Sequence, residues 1–428
     1  MKRLLAIFPR LPGDPSKNAQ LLILRRLTEH GWHPTVLTLG KPSPQHSDTR
    51  WQDVDFHYLQ PQRFMWKLAY RLFGHRRNEA LSLTHRVASR CLMPLSLALC
   101  FPDLYVRAKR ELVATALRLH QSQPFDLTLS LYNPLSAHLA AQEFHSISQV
   151  PWVAMTKDYY SWPPHFLNSR IARVANRIKQ YYEPRSIRGA RMLVSISDYM
   201  NQHLQKLLPA TDIRTLPHCY DEESFADKAH RPIDDCFRLV SMGIVRTRDG
   251  FGDHEKLRTL MMAVAELRQE GVNVSQLRLR FVGQKLELVQ ALAARYGCED
   301  LLELPGSVTH DEAMQELVQA TCLFYIQTEF GTRRRLTECI GARRPILAYP
   351  DYPGTFSNQL LDDYGAARIA NDKRGLKKHL RELLEQFTSK KTLELPINDV
   401  SVAKHSAGKR AAEFATLLEQ VVTTPARA

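Results

Sequence analysis

Short apolar runs alternate with amphipathic helical stretches along almost the whole chain. Leu4 to Phe8 is the first such run, suited to a buried parallel strand. A loop rich in Pro and Gly follows, from Pro9 to Pro15, and then a helix with Leu21, Leu22, Leu24 and Leu27 on about one face. Gly31 sits where a helix stop is expected, and Val36, Leu37 and Leu39 form the next strand. The first forty residues therefore read as a β-α-β unit. Further strands are expected at Leu127–Leu131, Trp152–Met155 and Met192–Ser195, with a long basic helical segment over about residues 62 to 121 between the early and later strands.

A second series begins near Phe237. FRLVSMG is a strand entering a glycine turn, and LRLRFVG repeats the pattern at 277–283. Leu302–Leu304, Cys322–Ile326 and Pro345–Ala348 add short strands, with helices expected at 255–270, 285–296, 311–319 and 334–342. The polar stretch Asp221 to Asp234, which contains Pro232, is the best linker candidate. The expected fold class is α/β, with two Rossmann-like, doubly wound domains facing a cleft. Residues 1–220 form the first, 221–402 the second, and 403–428 a helix that crosses back to the first. Ligands in such sheets bind beyond the carboxyl ends of the strands.

Composition narrows the class. The 428 residues are 44% hydrophobic and 24% charged, with no low-complexity tract, which excludes a disordered, collagenous or multi-span membrane protein. The net charge of +14 is unevenly spread: residues 1–215 hold 29 basic and 14 acidic side chains, residues 216–428 hold 29 and 30. One half is strongly basic and the other neutral, as for two domains facing different partners. The start, MKRLLAIFPRLPGD, has too short an apolar core for a signal peptide, and the longest apolar run, Cys91 to Pro102, is far below the ~20 residues that span a bilayer. Seven scattered cysteines without a C-x-x-C pair point to neither a disulfide framework nor a zinc site, so a reduced cytoplasmic setting is expected.

No G-x-G-x-x-G follows the first strand, and no P-loop, nucleophile elbow or H-E-x-x-H appears. The most informative stretch is EFGTRRRLTECIGARRPILAYP, Glu329 to Pro350. A turn at Gly331 precedes three arginines and a helix carrying Glu338, with a small-residue exit at Gly341-Ala342. A helix N-terminus beside arginines suits a diphosphate. A carboxylate one turn further in suits ribose hydroxyls. Taken alone, the same residues read better as a solvated helix face with Glu338 as a local salt-bridge partner.

The order of landmarks resembles a GT-B glycosyltransferase, most of all glycosyltransferase family 4. GWHPTVLTLG, DLTLSLYNPLSAHLAA, VPWVAMTKDYYSWP, IRGARMLVSISDYM and IRTLPHCYDEESF resemble successive N-terminal motifs of that family. SMGIVRTRDG resembles its glycine turn and phosphate-binding basic residue, and LRFVG, LPGSVTHDEAMQELVQATCLFYI and RLTECIGARRPILA follow in family order. The chain also departs from the pattern. Glu329 lies nine residues before Glu338 where the family has eight, and His218-Cys219 stands where Asn-Gly is usual.

This resemblance implies transfer of a sugar from a nucleotide-diphosphate donor to an acceptor hydroxyl, with retention of configuration, no metal and no separate cofactor. UDP is the expected nucleotide by its frequency in such enzymes. Arg248 and Arg335, with Arg246 or Lys256 as substitutes, would meet the diphosphate, and Glu338 the ribose. Gly13 and Gly243 would admit the ligand close to the backbone. Gly283 and Gly306 belong to the same donor-side turns. On the acceptor side the candidates are Asp158 and, more weakly, His138, with Tyr159, Tyr160 and Trp162 as a platform.

The basic half bears on the acceptor. Arg63, Lys67 and Arg71 recur every fourth residue beside Phe64, Met65, Leu68 and Leu72, a pattern that suits an interfacial helix on anionic lipid. The expected acceptor is a lipid-linked or cell-surface glycan precursor, reached from the inner face of the cytoplasmic membrane. A non-catalytic GT-B-like scaffold, an inverting GT-B enzyme and a nucleic-acid-binding protein are the alternatives. The last lacks any RRM, KH or helix-turn-helix pattern.

Overall fold

In the computed structural model, the described residues are 1–60, 101–163, 167, 169–228, 236–245, 252–329 and 334–424. The chain divides into two compact units: Met1–Leu216 with Ala411–Ala428, and Pro217–Arg410.

The first unit is built on seven strands: β1 (Lys2–Ile7), β2 (Trp32–Leu39), β3 (Asp55–Leu59), β4 (Leu127–Tyr132), β5 (Trp152–Thr156), β6 (Met192–Ser195) and β7 (Ile213–Thr215). They form one sheet in the order β3-β2-β1-β4-β5-β6-β7, and every pairing is parallel. β4 is buried at all six positions, because helices cover a parallel sheet on both faces. Leu5, Ile7, Leu37, Phe144 and Trp152 belong to its core. Asn18 starts the Ala19–Arg26 helix by accepting from the backbone N–H groups of Gln20 and Leu21, at 3.0 and 3.4 Å.

The second unit repeats the plan with β8 (Phe237–Ile244), β9 (Leu277–Gln284), β10 (Leu302–Gly306), β11 (Cys322–Ile326), β12 (Ile346–Tyr349) and β13 (Ala367–Ile369), in the order β10-β9-β8-β11-β12-β13. These pairings are parallel as well. Helices at Asp253–Gln269, Glu287–Tyr296, His310–Val318 and Arg334–Gly341 stand within two residues of the expected bounds. Thr309 and Glu312 form a capping box, which explains the sharp start at His310.

The linker reading is corrected. Within Asp221–Asp234, residues up to Lys228 pack as part of the second unit, and 229–235 lie outside the described residues. Phe225 is buried against Tyr220. The Glu222 carboxylate accepts from the backbone N–H groups of Ala407 and Gly408 at 2.9 and 3.1 Å, so it caps the final helix, Ala407–Thr423. The unit boundary falls inside that helix. Beyond the boundary Glu419 pairs with Lys2, and Arg191 Nη1 donates to the carbonyls of Val421 and Thr424 at 2.9 and 2.8 Å, closing the helix C-terminus. Among the described residues no helix is long and apolar enough to cross a membrane. The proposed basic helix of Arg63, Lys67 and Arg71 lies outside the described residues.

Candidate active site

In the second unit the strand order reverses between β8 and β11. A doubly wound sheet opens a crevice at the carboxyl ends of such a pair. Gly243 lies near the end of β8 with φ of 121°, and its partner in register on β9 is Gly283, with φ of 145°. Both angles are ones that side-chain-bearing residues rarely adopt. A β-carbon on Gly283 would run into the Gly243 backbone, and one on Gly243 would run into the guanidinium of Arg335. The glycine pair thus lets two strand ends close up and leaves bare backbone under a cation. Gly243, Val245, Asp253, Ile326 and Arg335 line the hollow at this corner. A guanidinium offers five N–H donors in a rigid fork that matches phosphate oxygens in pairs.

Arg335 arrives on the Arg334–Gly341 helix, and the same helix places Glu338 one turn further in. Glu338 is paired with Arg334 at 2.9 Å, and the two side chains are only 15% and 17% exposed. Arg335 turns to the glycine corner while Arg334 holds the carboxylate, and that pair is not on a solvated helix face. The small exit residue has a physical cause too, since a β-carbon on Gly341 would press on the Tyr220 ring at 2.6 Å.

Lys256 is buried, and its ammonium donates to the main-chain oxygen of Gln327 at 2.8 Å, just past β11. It also stands 5.7 Å from the centre of the Tyr352 ring. Its charge therefore serves the end of β11, the strand beside β8. Gly306 ends β10, two strands away from β8, where its φ of 81° shapes a turn. It is not brought to the Gly243 corner. Arg246 and Arg248 lie outside the described residues.

In the first unit the corresponding reversal lies between β1 and β4. Gly13, in the loop after β1, is exposed, and a β-carbon there would meet nothing nearer than Ser43 Oγ at 3.9 Å. The Asp158 side chain is exposed beyond β5, and its carbonyl accepts from Thr156 Oγ1 at 2.8 Å. His138 is 1% exposed: its Nδ1 is 2.7 Å from Ser130 Oγ, which also accepts from Trp152 Nε1 at 2.8 Å. Burial pushes the imidazole down to about 3, so it is neutral and ties its own helix, Ser136–Ser148, to β4 from within the core, while Ser130 links β4 to β5.

No motif marks the buried carboxyl of this unit. Glu183 is buried, accepts from Ser161 Oγ, and burial pushes its carboxyl up to about 7. Ser161 Oγ also lies 3.3 Å from His203 Nε2. Tyr159 stacks edge-on to His203 and near Trp162, with ring centres 5.5 and 5.3 Å apart. Lys179 stands 5.5 Å over the Tyr160 ring. Tyr159 and Tyr160 are thus largely packed into the unit. Glu183 sits in YYEPRS, which matches no motif, and only its burial marks it out.

No protein-family model matches the chain, and no curated protein is similar to it in sequence. Solved structures are similar in fold. One is a sucrose-phosphate synthase from Thermosynechococcus elongatus, with TM-score 0.55 and 13% identity over 99% of this chain and 96% of that one. Another is WaaG, a glycosyltransferase involved in lipopolysaccharide biosynthesis, with TM-score 0.54 and 13% identity over 99% of this chain and all 100% of that one. A third is MnaA of S. aureus in a structure with UDP, with TM-score 0.50 and 10% identity over 100% and 98% of the two chains. At such identities the likeness is one of fold. The chain has the GT-B fold, with two parallel Rossmann-like sheets of seven and six strands, each flanked by helices.

Proposed function

We propose that this protein is a glycosyltransferase, of the family-4 type its motifs resemble, that moves a sugar from a nucleoside-diphosphate sugar to an acceptor hydroxyl. The observation that carries this is the Arg335 guanidinium lying on the Gly243–Gly283 corner at the switch point of the second unit. In the reaction the bond from the sugar's anomeric carbon to the donor phosphate breaks, and a bond to the acceptor oxygen forms. The leaving phosphate takes the acceptor proton, and Arg335 offsets the charge that grows on the diphosphate. Glu338, oriented by Arg334, receives the ribose hydroxyls. Retention of configuration and independence of metal follow the family resemblance. UDP is the nucleotide of choice, in keeping with the UDP seen with MnaA. The acceptor is a lipid-linked or cell-surface glycan precursor, and the protein works peripherally at the inner face of the cytoplasmic membrane.

A thermal-shift screen against UDP, GDP, ADP and TDP tests the donor assignment. A nucleotide at about 100 times its Kd adds about 2.7 kcal/mol of stability. A shift with one nucleotide, lost in Arg335→Ala, supports it; no shift with any of the four sinks it. A non-catalytic nucleotide-binding protein is the second reading, favoured by the engagement of Glu338 with Arg334 and its nine-residue distance from Glu329. Nucleotide binding without donor hydrolysis or transfer would decide for it.

A further inference from the structure

The Arg170–Ser186 helix is amphipathic in the wrong sense for a helix in water. Eight large hydrophobic side chains stand exposed among the described residues, and four of them are on this one helix: Val174 at 60%, Ile178 at 49%, Tyr181 at 56% and Tyr182 at 39%. They follow the i, i+4, i+7, i+8 spacing of a single stripe. Exposed Arg170, Arg173, Arg177 and Arg185 interleave with them. The helix's one acidic residue, Glu183, is turned inward and held by Ser161. The outward face is thus apolar and positive, with no negative charge.

The inward face carries polar side chains as well. Asn176, 5% exposed, accepts from the Trp162 N–H at 2.7 Å and donates to the Trp162 carbonyl at 2.8 Å. With Glu183 on Ser161, these contacts fix the rotation of the helix at two points. The apolar stripe cannot roll inward without stripping partners from two buried polar groups, and that is costly. At the outer end the Arg185 guanidinium lies 3.4 Å from the centre of the Tyr181 ring, a cation stacked on an aromatic at the surface.

We infer that this face docks on an anionic lipid surface. A bilayer of that charge meets both halves of the stripe in one plane: headgroup phosphates take the arginines, and the boundary with the acyl chains takes Val174, Ile178 and the Tyr181 ring, while Tyr182 packs edge-on against Phe101. Nucleic acid would satisfy the arginines and leave the aliphatic side chains in water. The charge of the surrounding half matches, with 29 basic against 14 acidic side chains in residues 1–215. This assignment rests on the membrane attachment proposed above, narrows it to one helix, and is testable without any transfer activity.

The experiment is co-sedimentation of the full chain with phosphatidylcholine vesicles, with and without phosphatidylglycerol, at low salt. Three proteins are compared: wild type, the triple variant Val174→Ser, Ile178→Ser, Tyr181→Ser, and the double variant Arg173→Gln, Arg177→Gln. Wild type is expected to bind only the phosphatidylglycerol vesicles. Each variant is expected to lose about tenfold or more in partitioning, and the arginine variant to lose part of the salt dependence as well. All the altered side chains are exposed, so circular dichroism and the thermal midpoint serve as the control for folding. Binding unchanged in both variants overturns the assignment, as does a wild type that ignores anionic vesicles. The nucleotide thermal shift of the same proteins is read in parallel. Its absence in wild type would count against the donor site and leave the vesicle result standing.

Discussion

The Arg335 guanidinium occupies the space that a β-carbon on Gly243 would fill. An alanine there would push away the far end of a flexible side chain and also adopt a φ of 121°. Gly243→Ala is therefore expected to displace Arg335, weaken nucleotide binding, and cost about 1–3 kcal/mol of stability through backbone strain. Gly283→Ala meets main chain instead, which cannot step aside, so its thermal midpoint should fall further. Calorimetric titration with nucleotide and thermal melts of both variants check this. An unchanged nucleotide affinity in Gly243→Ala would sink the pairing of that glycine with the cation.

Arg335 itself is the more direct test. A charged hydrogen-bonding group contributes about 1.5–3 kcal/mol, so Arg335→Ala should weaken nucleoside-diphosphate binding by roughly 10- to 100-fold. Arg335→Lys keeps the charge but loses the fork, and should recover only part of the loss. Dissociation constants for the diphosphate and for the bare nucleoside separate the two contributions. If both variants bind the diphosphate like wild type, phosphate recognition lies elsewhere.

Glu338 and Arg334 make a partly buried pair. Removing either partner breaks this partly buried ion pair, and a destabilisation of about 1–3 kcal/mol is expected for Glu338→Gln or Arg334→Met. A double-mutant cycle should return a coupling of about 0.5–3 kcal/mol. With the carboxylate on the ribose, both variants should also lose the preference for ribonucleotide over 2′-deoxyribonucleotide. Retention of that preference would separate Glu338 from the sugar.

Acid stability follows from three buried groups. Burial pushes the imidazoles of His138 and His405 down to about 3 from an ordinary 6.5. Between those values the unfolded chain takes up protons that the folded chain refuses, so stability falls as pH drops below 6.5, by up to about 1.4 kcal/mol per unit for each group. Glu183 acts in the opposite sense. Folded, it keeps its proton up to about 7, whereas unfolded it releases it above 4.5, so stability falls as pH rises through that window. Glu183→Gln removes only the second effect. Its thermal midpoint should gain on wild type as pH rises from 4.5 to 7, and no such gain would show that Glu183 titrates normally.

Most of the sheet was legible beforehand. The strand at Cys322–Ile326 and that at Met192–Ser195 stand where the apolar runs placed them, because a parallel strand covered on both faces needs an unbroken apolar run. β3, β7 and β13 were missed: β3 and β13 are edge strands, β7 is the other edge of its sheet, and none has a buried residue to betray it. The polar stretch after Tyr220 looked like a linker because Phe225 and the capping role of Glu222 depend on partners far along the chain.

The site divides the same way. Gly243, Arg335 and Glu338 were each marked by local pattern, a glycine after a strand and an arginine run before a helix. Local order along the chain is a matter of period and turn chemistry, and the sequence by itself determined the two α/β series, the basic first half and this short set of residues. Only the tertiary structure decided that Arg335 rather than Arg334 lies on Gly243, that Lys256 serves the Gln327 carbonyl, that His138 is a core residue and that Glu183 is buried. Each of those outcomes depends on which groups lose their water, and desolvation is a property of the packed chain, set by residues distant in sequence.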